Sequence, residues 1–246
     1  NFYVLQTADI DLKDSLLVPI GTCTDGFEGH YDGGGHVIRN VEMEYYKDNP
    51  DESMGLFNNI IGTVERLGIE NSSFKADGPI TRVGAFAGRL SGNGVLRNCF
   101  VKGSTVDFHD SPGVVVGALV GEQTDNSSIE ACYGYQNTVI GQNDGRKHFG
   151  YIVGYIGENA KQDLVFTDGP ALCADKQSGA KNITHAETNV SDFRFNTGEI
   201  CWLLNGSKDN GTVWRQTMRA DGWPLQHPDH EPIYRYANAG QVLYTN

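Results

Sequence analysis

The sequence predicts an all-β fold: a parallel β-helix-like solenoid with an irregular N-terminal coil and a C-terminal cap. Three observations carry this. "VGAFAG" from Val83 and "VGALVG" from Val116 are nearly the same six residues. "MGLFNN" upstream and "FGYIVG" downstream extend the series, so that Gly55, Gly84, Gly117 and Gly150 recur at intervals of 29, 33 and 33, a period typical of stacked repeats. Between these glycines each copy carries a second apolar segment, "VERLGIEN", "LRNCFVKG" and "IEACYG". Because alternate residues of a strand point to opposite sides, Leu67, Cys99 and Cys132 are expected to stack inside, as are Ile69 and Val101.

One domain, residues 1–246, accommodates the whole chain, since all-β units of this length are ordinary. Residues 1–53 read as the opening coil, where a glycine cluster turns the chain into the alternating "HVIRNVEME". Residues 54–157 hold the repeats. One phase of the repeated strand contains Phe57, Phe86, Leu119 and Ile152, the other Leu56, Ala85, Ala118 and Tyr151, so neither side reads as polar. Either the cap covers the outer side, or it is an apolar patch for a partner or for self-association. Residues 158–246 form the cap region, where the period lapses. Within it "TGEICWLLNGS" fits a short amphipathic helix, with Ile200, Leu203 and Leu204 on one side, and "TVWRQT", "GWPL", "PIYRYA" and "QVLYT" read as short strands. Trp202, Trp214 and Trp223 are expected to plug an open end of the solenoid, an aromatic platform for sugars being the functional alternative.

Composition narrows the function classes. With 31 glycines, 10% aromatic and 20% charged residues, the chain is turn-rich β protein. Its net charge of −12 repels phosphate backbones, so nucleic acid is not an expected partner. No apolar run approaches the length of a transmembrane segment, and the abrupt, strand-like start at Asn1 fits a processed N-terminus. The five cysteines match neither a zinc spacing nor a C-x-x-C pair. Cys99 and Cys132 would be neighbours on adjacent coils, either as buried small hydrophobes or as a disulfide, and Cys173 with Cys201 is a second conceivable pair. Six sequons, at Asn71, Asn126, Asn182, Asn189, Asn205 and Asn210, are candidate glycan sites for a secreted chain.

The segments "FEGHYDGGGHVIRNVEME", "MGLFNNIIGTVERLGIENSSF", "VGAFAGRLSGNGVLRNCFVKGSTV" and "VGALVGEQTDNSSIEACYGY" resemble the GLUG-motif repeats of bacterial surface and secreted proteins. Such repeats are common in Bacteroidetes and occur in some adhesins and beside some peptidases. The tail "GEICWLLNGS", "TVWRQT", "DGWPL" and "PIYRY" is similar to the segment that closes such proteins. The resemblance spans Phe27 to Tyr234 and implies a solenoid exposed outside the cell. It implies no reaction, because the repeats share no catalytic motif.

Candidate chemistry lies mainly in the loops. His30, Asp32 and His36 in "HYDGGGH" form a possible acid-base or metal cluster, against which the glycines favour a structural turn; no metal site is expected. The connections "YKDNPDES", "KADGPITR", "DFHDSPGV" and "QNTVIGQNDGRKHF" precede equivalent strands, so they should emerge on one edge. His109, Asp110, Asp144, Arg146, Lys147 and His148 are the expected ligand-binding residues there, with Asp48, Asp51, Glu52, Asp77 and Arg82 on the same rim. The chain therefore reads as an extracellular or cell-surface binding or adhesion module for a glycan or surface protein, or a structural part of a surface assembly, rather than as an enzyme. No cofactor is expected. The alternative is a carbohydrate-active enzyme of the polysaccharide lyase type, with Ca²⁺ on the carboxylates and Arg146 or Lys147 as base beside Asp110.

Overall fold

A computed structural model describes residues 2–15, 17–22, 25–44, 53–76, 82–108, 114–140, 148–173, 182–208, 211–233, 235–237 and 241–243. The chain winds into a parallel β-solenoid. Five short strands recur in each of four successive coils, and each stacks in register on its counterpart one coil away. In stack a lie Tyr3–Leu5, His30–Asp32, Thr63–Glu65, Val95–Arg97 and the first halves of Ser128–Tyr135, Lys161–Thr167 and Asn182–Glu187. Stack b contains Ile10–Asp11, Val37–Arg39, Gly68–Glu70, Phe100–Lys102 and the second halves of the same long strands. Stack c is Glu42–Glu44, Ser73–Lys75, Thr105–Asp107 and Thr138–Ile140; stack d is Ser53–Met54, Arg82–Val83, Val115–Gly117 and His148–Gly150. Stack e is Phe57–Ile60, Ala87–Leu90, Val120–Gln123 and Val153–Ile156. The winding continues beyond residue 157, since Lys161–Thr167 and Asn182–Glu187 extend stacks a and b.

Each corner has a chemical reason. Between stacks a and b the chain turns through a left-handed residue in every coil from the second onward: Arg66, Asn98, Ala131, Leu164 and His185 have φ of 52°, 53°, 50°, 55° and 48°. Between b and c, Asn40, Asn71, Gly103 and Gln136 do the same, and asparagine and glycine are the residues that enter this region most readily. The buried side of this second corner is closed by a polar ladder. Ser72 Oγ accepts the Val41 N–H at 3.0 Å, Ser104 Oγ the Ser72 N–H at 3.1 Å, and Asn137 Oδ1 the Ser104 N–H at 3.0 Å. Each coil thus satisfies a buried donor of the coil before it.

The glycine motif belongs to the corner between d and e. A Cβ on Gly117 would stand 2.0 Å from the Val120 carbonyl, and one on Gly121 2.7 Å from the Val83 nitrogen, so the two stacks meet backbone to backbone. This corrects both expectations for the apolar repeated strand. Phe57, Phe86, Leu119, Ile152, Leu56, Ala85 and Ala118 are all at most 2% exposed in the main core and Tyr151 alone is half-buried, so these residues form the interior and not an apolar outer face. The first coil also carries one residue fewer here, so Phe57 pairs with Ala87, which in turn pairs with Val120, rather than occupying the position of Phe86.

The expected interior ladders are present. Leu67, Cys99 and Cys132 are fully buried, as are Ile69 and Val101. Cys99 and Cys132 are free thiols, with the Cys99 N–H 3.4 Å from Cys132 Sγ, and burial pushes the Cys99 thiol well above its ordinary pKa. Cys201 is likewise a free thiol, and Cys173 sits in the other cluster, so the two do not form the second conceivable pair.

The C-terminal region brings a second core. The expected helix is Glu199–Leu204, and a second short helix, Asp192–Asn196, precedes it. The expected short strands reduce to antiparallel bridges of Arg215 with Leu225 and Pro232, plus the hairpin Arg235–Ala237 and Gln241–Leu243. The tryptophans do not plug an end. Trp214, fully buried, packs beside Phe100 and Tyr133, whose side chains point outward from stack b, with Phe195 and Ile200 around it. The cap is therefore docked on the flank of the solenoid.

Candidate binding surfaces

Connections within a coil are short except at one corner. Stacks a to b, b to c, d to e and e to a are joined by two to four residues. Between c and d the chain takes residues 45–52, 76–81, 108–114 and 141–147, which are eight, six, seven and seven residues. The strands on both sides of these connections are in register: Glu42, Ser73, Thr105 and Thr138 before them, Ser53, Arg82, Val115 and His148 after them. Of the expected binding residues, His109, Asp110, Asp144, Arg146 and Lys147 lie outside the described residues, as do Asp48, Asp51, Glu52 and Asp77. His148 is half-buried at the start of its strand, its ring 5.7 Å from that of Tyr155. One row along, Arg82 bonds Glu122 at 2.6 Å, and Arg89 reaches the same carboxylate at 3.3 Å.

The "HYDGGGH" residues separate into three unrelated contacts. His30 faces Glu65 at 2.7 Å. Asp32 is held by Arg66 Nε at 2.8 Å, by the Tyr3 hydroxyl at 2.7 Å and by the Gly34 N–H at 2.9 Å. Burial alone would raise the Asp32 pKa, but these donors outweigh it and hold the carboxyl below its usual range. His36 turns the other way, toward Asp9 at 3.2 Å. The motif is thus chiefly a structural turn. At Gly35, with φ of 85°, a Cβ would stand 3.1 Å from the Gln226 backbone, so the cap comes down directly onto the glycines.

His36 also lines a cleft that no local pattern announced. The cleft, about 530 Å³, lies between Thr7–Asp9, the first strands of stack b and the cap segment around Trp223 and His227. Asp9 is fixed by the Val37 N–H at 3.2 Å and by Arg39 Nη2 at 2.6 Å. Although burial pushes the Asp9 pKa up, those contacts and His36 lower it overall. Glu70 behaves oppositely: burial raises its pKa against the pull of Lys102 and Arg39. Lys102 in turn places its ammonium 3.8 Å from the centre of the Trp223 ring, a cation–π contact. The His36 and His227 rings are 5.1 Å apart, and His230 is held by Asp221 at 2.8 Å. Among the described residues no group of three or more His, Cys, Asp or Glu is arranged to hold a metal ion.

Asn71, Asn126, Asn182 and Asn189 are exposed. Asn205 is half-buried, and its carboxamide donates to the Cys201 and Trp214 carbonyls at 3.1 and 2.9 Å while accepting the Trp214 N–H at 3.0 Å. Asn210 lies outside the described residues.

These features define a class: a parallel β-solenoid with a laterally docked cap and its long connections gathered on one edge. No protein-family model matches the chain, and no curated protein matches it. Among solved structures it is similar to a Bacteroides ovatus protein described as a "putative immunoglobulin A1 protease", with a TM-score of 0.52 and 16% identity over 92% of this chain and 85% of that one. At that identity the likeness is one of fold. No helix among the described residues is long and apolar enough to cross a membrane.

Proposed function

We propose that the chain is an extracellular or cell-surface binding module of the GLUG-repeat kind, engaging a glycan or a surface protein along the edge between stacks c and d. The observation that supports this reading is that in each of the four complete coils, residues 30–156, the long connection falls at this corner, while the other corners of those coils are held to two to four residues. A solenoid fixes its coils by backbone register, and residues free to vary without disturbing that register sit where the loops emerge. The charge of the edge is mixed: His109, Asp110, Asp144, Arg146, Lys147 and His148 supply both donors and acceptors. Mixed charge suits polar, directional recognition better than burial of an apolar partner.

The test is an array of glycans and surface proteins probed with the chain and with a double variant, Asp110→Ala with Arg146→Ala. Retention of at least one ligand is expected, weakened roughly tenfold or more in the double variant, the scale for losing charged hydrogen bonds. Unchanged retention in the double variant would remove the edge from consideration. Turnover of an acidic polysaccharide, abolished by the same pair, would establish the lyase reading instead.

A further inference from the structure

The cleft beneath the cap is a separate structure from the loop edge, and its lining is chemically specific. The Glu70 carboxylate lines it without a hydrogen-bond partner among the described residues. Arg39 Nε and Trp223 Nε1, on two further lining residues, are buried donors with no partner among the described residues. Both atoms lie beneath the cleft's surface, so Glu70 and the outer guanidinium nitrogens of Arg39 are the groups an occupant would meet. The lining also opposes charged ligands of either sign. An anion meets Asp9, Glu70 and Asp229, whereas a cation meets Arg39, with Lys102 behind the Trp223 ring. Hydroxyl groups both donate and accept, and so satisfy carboxylates and guanidinium together without taking a charge out of water. The volume falls within the roughly 300 to 1,000 Å³ of small-molecule sites.

We propose that this cleft binds a neutral saccharide, with Trp223 as its apolar wall and Glu70, Arg39 and His36 as its hydrogen-bonding groups. The three parts are brought together only by the fold. Asp9 orients both His36 and Arg39, which makes it a positioning residue, while the cap delivers Trp223 from the other end of the chain.

The experiment uses the full chain, labelled with ¹⁵N, titrated separately with glucose, galactose, mannose, N-acetylglucosamine and lactose, and with glucuronate and glucosamine as charged controls. The indole N–H resonance of Trp223 reports occupancy, and calorimetry gives the affinity. At least one sugar is expected to shift that resonance saturably, with Glu70→Gln and His36→Ala each weakening binding by about tenfold. Glu70→Gln is isosteric and removes no hydrogen bond of the fold, so its thermal unfolding should stay at or above that of the parent. The proposal is overturned if no sugar moves the Trp223 signal, if only glucuronate or glucosamine does, or if both variants bind with unchanged affinity. The Asp110→Ala, Arg146→Ala variant should titrate like the parent; loss of binding there would move the ligand to the loop edge and also overturn the cleft.

Discussion

Stacks a and b are two halves of one hydrogen-bonded sheet, yet their outer surfaces have opposite fates. Stack a presents Asp32, Glu65, Arg97, Glu130 and Asp163 in register, a charged wall that is covered at Asp32 and reaches solvent in the later coils. Stack b presents Val37, Gly68, Phe100, Tyr133 and Phe166 in register, and the cap takes that one. Backbone geometry does not distinguish them, since both are parallel strands of the same register. Outward side chains alone decide whether a solenoid wall stays bare or becomes the floor of a second core. The left-handed residue between the stacks makes the separation sharp, because it turns the two rows away from each other within a single step of the chain.

The comparison can be broken most severely on the covered wall. Trp214→Ala empties the centre of the second core and should cost about 3 to 5 kcal/mol, the usual range for a buried aromatic. Chemical denaturation followed by tryptophan fluorescence, which reports the cap, and by far-ultraviolet circular dichroism, which reports the strands, should show an early transition of the cap and a later one of the solenoid. A cooperative loss of both at once would mean that the wall itself depends on its cover.

A smaller effect comes from Glu70, at the margin between covered and bare surface. Burial raises its folded pKa above the unfolded reference of 4.5. The folded state therefore holds this proton more tightly, a contribution fully present below 4.5 and lost as pH rises through the folded value. Glu70→Gln imitates the protonated form permanently. It should raise the midpoint of thermal unfolding near neutral pH, and the increment should shrink to nothing on acidification below 4.5; a pH-independent increment would assign the gain to packing.

The least change is expected on the bare wall. Arg97 bridges Glu65 at 2.7 Å, but its side chain is 42% exposed, and such pairs contribute about 0 to 1 kcal/mol. Arg97→Ala should leave the denaturation midpoint almost where it was. A loss comparable to that of Trp214→Ala would show that the charge ladder, and not the interior, ties neighbouring coils together.

Legibility in the sequence followed the range of each interaction. The ladders Leu67–Cys99–Cys132 and Ile69–Val101 were readable because register converts a fixed period into contact. The slip at Phe57 was not, since a single residue lost at a buried corner leaves the motif looking intact. The outward row Phe100, Tyr133 and Phe166 could have been read as a second apolar phase. Nothing in it, however, identified residues 190–233 as the cover. The cleft was the least accessible: His36 was singled out with its glycines, but Glu70 belongs to an ordinary repeat, and His227 and Trp223 arrive from nearly two hundred residues away.

The flank docking of the cap has a mechanical corollary. Its contacts reach from Val37 in the first complete coil to Phe166 beyond the fourth, with Gln226 bonded to the Asn98 carbonyl at 2.8 Å and Tyr133 to that of Pro224 at 2.5 Å. An array held only by neighbour contacts can gain or lose a unit at modest cost. Here the attached segment acts as a gauge: inserting or deleting one 33-residue turn would carry half of its landing points out of reach, so the number of windings is set from outside the stack.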